Sequence, residues 1–150
     1  MFEITVTAET SASPDQVIEA AHDFSERRGE VWANSKPKYL QVHDAGEDYA
    51  DVTEGLWIAG VFWERSRYEW PDPNALVSTV KDSNVVEAGS RWELKATPQA
   101  EGSKVEMIVR RTFKPGPKGR IAMLANHLSG HWGWRRYLER ALKKIETPKR

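Results

Sequence analysis

A length of 150 residues suits one domain with a genuine buried core. Hydrophobic and charged contents of 39% and 29% are those of a globular chain, and no apolar run approaches the roughly 20 residues of a membrane span. The absence of cysteine excludes a disulfide framework, a thiolate nucleophile and a Cys-based zinc site.

The zero net charge hides an asymmetry. Residues 1–109 carry 10 basic and 20 acidic side chains, whereas residues 110–150 carry 12 and 2. The simplest reading is internal complementarity, with Arg140, Lys143 and Lys144 suiting a helix C-terminus. Nucleic acid is not expected as a partner, because the acidic remainder opposes polyanion binding. The start of the chain lacks the basic and apolar regions of a signal peptide, so the expected location is cytoplasmic.

In chain order, Phe2, Ile4 and Val6 alternate with Glu3, Thr5 and Thr7 as a half-buried strand. Ser13-Pro14-Asp15-Gln16 has the parts of a capped helix start, and that helix should run to about Arg27 or Arg28. A short helical turn is expected at Val31 to Asn34. From Lys38 the period becomes two, with strands expected at Tyr39–Asp44, Tyr49–Ile58, Val61–Trp70, Leu76–Asp82, Ser90–Thr97 and Lys104–Phe113. The separators hold turn residues and are too short for crossover helices, so the strands should be antiparallel neighbours.

The last element is an amphipathic helix of roughly 25 residues from Gly119 to Ile145, followed by a polar tail. Its apolar stripe reads Ile121, Leu124, Leu128, Trp132, Leu138, Leu142 and Ile145, with His131 and Arg135 on the same side. Gly130 and Gly133 would permit a bend. The Lys114 to Arg120 link reads as a turn before a helix rather than a phosphate loop, since two prolines remove backbone donors.

This order resembles the helix-grip fold of the SRPBCC or START-like superfamily, which includes the birch-pollen allergen group and polyketide cyclase/dehydrase-like lipid-transport proteins. The stretches alike are Val6 to Phe24, the Trp32 to Pro37 region, and Lys118-Gly119-Arg120 opening the final helix. The resemblance implies an α+β architecture: a seven-stranded curved antiparallel sheet wrapped around a long C-terminal helix, with two short helices after strand 1. It also implies an internal cavity for lipids, polyketides or similar molecules, and no shared catalytic motif.

Alternation puts Phe62, Glu64, Ser66, Tyr68 and Trp70 on one strand face, and groups Ala50, Val52, Glu54 and Leu56. It likewise groups Ser90, Trp92, Leu94 and Ala96, and Val105, Met107, Val109, Arg111 and Phe113. If these faces line a cavity, Glu54, Glu64, Tyr68, Trp92 and Arg111 meet Leu128, His131 and Arg135 inside it. Arg135 and His131 would orient a ligand's polar end while its body packs on Trp92, Tyr68 and Leu128. His127 and His131 have a metal-ligand spacing, but the intervening Leu-Ser-Gly lacks a general-base glutamate, so no metal is expected, nor any cofactor.

The function expected first is therefore a soluble binding or transport protein for a small hydrophobic or amphipathic ligand. The alternatives are a cofactor-independent cyclase using cavity acid/base residues, and an interaction module using the basic helix. A monomer or weak homodimer without stable membrane insertion is expected.

Overall fold

The computed structural model of the chain describes residues 1–58 and 60–146. The expected polar tail from residue 147 on lies outside the described residues. The first strand, β1 (Phe2–Thr10), buries Phe2, Ile4 and Val6, as its alternation requires. Helix α1 (Pro14–Ala21) opens with the full capping box: Gln16 N–H donates to Ser13 Oγ at 3.2 Å, and Ser13 N–H to Gln16 Oε1 at 2.8 Å.

α1 stops well before Arg27. His22 leaves helical geometry and stacks its ring on Trp70 at 4.3 Å, and Asp23 Oδ1 accepts Ser25 N–H. A turn follows, so α2 is Arg28–Val31, slightly earlier than the expected Val31 to Asn34. Pro37–Tyr39 forms a 3-10 turn where the next strand was expected to begin.

Six strands follow: β2 (Gln41–Ala45), β3 (Tyr49–Trp57), β4 (Val61–Glu69), β5 (Ala75–Ser83), β6 (Arg91–Gln99) and β7 (Gly102–Arg111). They join β1 in one antiparallel sheet of order β1-β7-β6-β5-β4-β3-β2. Every hairpin joins neighbours except the closing pair, where β1 lies against β7.

The last helix, α3 (Pro117–Glu146), is two arms and not one rod. Gly130 has φ 51° and ψ −137°, a conformation open to glycine and strained for other residues. The break changes the rotational phase of the helix. Leu138, Ala141, Leu142 and Ile145 of the second arm are buried in the main core with Val17, Ile18, Trp32, Leu94, Met107 and Val109. In the first arm, Ile121, Leu124 and Leu128 of the expected stripe are exposed, and so is Trp132 just past the break. What faces inward there is Gly119, Ala122 and Asn126. Gly119 fits because a Cβ would run into the Lys114 carbonyl. Ala122 packs on a second apolar cluster of Phe62, Val80, Val85 and Val86.

Candidate functional site

The sheet's concave face presents the residues that its period of two selects. Register aligns Glu54 with Glu64, Ala50 with Tyr68, Tyr68 with Ser78, Ser78 with Trp92, and Trp92 with Val109. These inward positions bring Glu54, Glu64, Tyr68, Trp92 and Arg111 into one cavity wall. The α2 segment and the second arm of α3 complete it with Arg28, Trp32, Asn34, Trp134 and Tyr137.

The inner end is polar and nearly filled, with about 40 Å³ of open space. Arg28 donates from Nε to Glu54 Oε1, from one terminal nitrogen to the Ala21 carbonyl at 2.8 Å, and from the other to the Tyr68 hydroxyl at 3.3 Å. Tyr68 in turn donates to Glu54 Oε2 at 2.6 Å, closing a three-residue ring. Phe24 and Tyr68 cover the guanidinium at 4.5 and 5.2 Å from their centroids. Burial works against the Arg28 charge, but Glu54 and Tyr68 outweigh it and raise its pKa. Burial and then the Glu54 charge raise the Tyr68 pKa, so its hydroxyl stays a donor.

Arg111 differs. Its ion-pair partner among the described residues is Glu64, and burial pushes its guanidinium down to about 10, which leaves it cationic at neutral pH. Tyr137 donates to Asn34 Oδ1 at 2.6 Å, and Trp134 Nε1–H to Asn126 Oδ1 at 2.8 Å.

A second chamber of about 160 Å³ shares Asn34, Glu54, Glu64, Arg111 and Trp134 with the first. Its other walls are mostly apolar, among them Leu56, Phe62, Val85, Phe113 and Ala122. The first arm of α3 roofs it through Ala122 and Asn126. The space thus grades from charged at depth to apolar beneath the helix.

A scan against protein-family models finds no match, and no curated protein matches by sequence. Solved structures do match. TTHA0849 from Thermus thermophilus aligns at TM-score 0.75 and 12% identity over 96% of this chain and 97% of that one. The Zhui aromatase/cyclase from Streptomyces sp. R1128 aligns at 0.75 and 14% over 97% and 93%, and a START superfamily protein from Mycobacterium smegmatis at 0.70 and 13% over 95% and 98%. This is the helix-grip fold of the START-like proteins.

Three residues expected in the helix-grip cavity lie elsewhere. Leu128 is 79% exposed, His131 is on the surface, and Arg135 faces solvent beside Glu139 at 3.4 Å. The Gly130 break separates the two halves of the helical wheel on which they were placed. His127 sets its ring edge-on to Phe2 at 5.4 Å, and among the described residues no cluster of three or more His, Cys, Asp or Glu could hold a metal. Arg28, Trp32, Asn34, Trp134 and Tyr137 were not singled out from sequence. Arg28 falls where the first helix was expected to end, three residues before the expected turn at Val31, and that position alone does not announce a buried guanidinium. No helix among the described residues is long and apolar enough to cross a membrane.

Proposed function

We propose that this helix-grip chain binds a small amphipathic molecule, its polar end against Arg111 and Glu64 and its apolar part in the chamber beneath Ala122. The observation that carries this reading is the graded cavity, in which the apolar chamber and the charged end share the wall formed by Glu64, Arg111 and Trp134. The chamber's volume is on the scale of the roughly 150 Å³ cavity that accepts benzene, so a ligand with one ring or a short branched chain fits best. Arg111 suits a carboxylate or oxygen-bearing head, since a guanidinium presents five donors and Glu64 engages only part of them. The aromatase/cyclase and START names of the structural neighbours agree with such a cargo.

Binding is favoured over turnover because the cavity's carboxylates are committed. Both Glu54 oxygens accept hydrogen bonds, from Arg28 and Tyr68, and Glu64 is paired with Arg111. A general base needs an oxygen able to reach the substrate proton.

Native mass spectrometry of the purified protein, with titration of a fluorescent naphthalene sulfonate probe, tests the reading. Ala122→Phe fills the apolar chamber and should weaken probe binding about tenfold or more by removing its space. Arg111→Leu should weaken the anionic probe comparably. Unchanged binding in both variants, with the fold intact by circular dichroism, would remove the cavity as the site.

A further inference from the structure

The first arm of α3 is built inside out. A helix on a core normally turns its large aliphatic side chains inward. Here Gly119, Ala122 and Asn126 turn inward, while Ile121, Leu124 and Leu128 form an outward ridge with 53%, 59% and 79% of their surfaces exposed. Trp132, just past the bend, is exposed as well. Trp57 at the end of β3 and Ile58 just after it are also exposed, on the turn that Lys118 ties to the helix start by donating to the Val61 carbonyl at 2.9 Å. So large an apolar surface on one edge of a molecule marks a contact.

The charge around the ridge says what kind. From Pro117 to Leu138 the helix carries Lys118, Arg120, Arg135 and Arg136 and no acidic residue. Arg120 is on the exposed side of the first arm, Arg135 and Arg136 follow Trp132, and the Arg136 guanidinium lies 5.6 Å from the Trp132 ring centre. A second copy meeting the ridge symmetrically would bring these cations together. We propose that the outward face of the first arm docks on an anionic lipid surface, the aliphatic ridge entering the headgroup boundary and the flanking cations meeting lipid phosphates or carboxylates. Aromatic rings such as Trp57 and Trp132 suit that boundary, being apolar in body and polar at one edge. The excess acid of residues 1–109 would turn the molecule helix-first toward such a surface.

The docking face is distinct from the cavity, so its test does not depend on any cargo. Flotation with vesicles of phosphatidylcholine alone, and of phosphatidylcholine mixed with phosphatidylserine, reads the partitioning. Binding should be about tenfold or more stronger on the serine-containing vesicles and should fall as salt is raised. Leu124→Ser/Leu128→Ser should abolish it, with the thermal midpoint unchanged because both side chains are exposed; Leu124→Glu/Leu128→Glu should do the same. Ala122→Phe should leave it intact. Equal binding to both vesicles, or none to either, overturns the proposal. So does a dimer in sedimentation equilibrium that the serine variant dissociates, which would assign the ridge to a second copy.

Discussion

Arg28 is only 3% exposed, and a guanidinium that far from water requires partners for its donors. Its ring with Glu54 and Tyr68, and its bonds to the Ala21 and Asp23 carbonyls, supply them. Removing one side of the pair leaves the other charge stranded. Arg28→Met should therefore cost about 3–5 kcal/mol in urea unfolding, and Arg28→Met/Glu54→Leu should recover most of that. A single variant as stable as the parent would mean that Glu54 finds solvent. The sequence exposed Glu54 and Tyr68 through strand alternation but not Arg28. Its position depends on where α1 stops, and the His22 stack on Trp70 that accompanies that stop joins residues 48 apart in the chain.

Strands and helix differ in how well the sequence foretold them. A strand face depends on parity, which survives errors of a residue or two at the ends, so the inward sets from Ala50 to Phe113 stood as expected. A helical stripe accumulates phase, and one residue outside helical geometry rotates everything beyond it. Gly130 is that residue: a stripe projected back from Leu138 and Leu142 on an unbroken helix selects Leu128 and Leu124, which are in fact outside. The two arms therefore respond oppositely to truncation. Leu138→Ala should destabilise by about 2–5 kcal/mol, since that side chain is fully buried. Leu128→Ala should stay within about 0.5 kcal/mol, as exposed substitutions do. Chemical denaturation of the two variants side by side checks both, and equal losses would contradict the bend.

Acid acts on the whole molecule through separated groups that all push the same way. Burial chiefly lowers the His22 pKa below 6.5, so the unfolded chain takes up that proton first and stability falls as pH drops below that value. Glu146 is lowered from 4.5 by the Ser11 N–H and the Thr10 hydroxyl. Asp51, on the outer face, is held well below 3.8 chiefly by its hydrogen bonds from Arg65, burial opposing and Lys81 assisting. Each carboxylate stabilises the fold fully above its unfolded value and loses that contribution as pH falls toward its folded one. Thermal midpoints should thus decline in two stages, first below about pH 6.5 and again below about pH 4.5. Asp51→Asn should flatten the second stage; an unaltered slope would place the acid sensitivity elsewhere.

Glu146 holding Thr10 and Ser11, and β1 lying along β7, have a consequence for how the protein is made. Strand β1, made before the six others of its sheet, waits for a partner that begins at residue 102, and the core waits for Leu138 to Ile145. Until α3 emerges, β1 and the nascent hairpins lack the long helix that closes over them. The core then closes only after α3 has been made, and the apolar strand faces stay open to chaperones until it is.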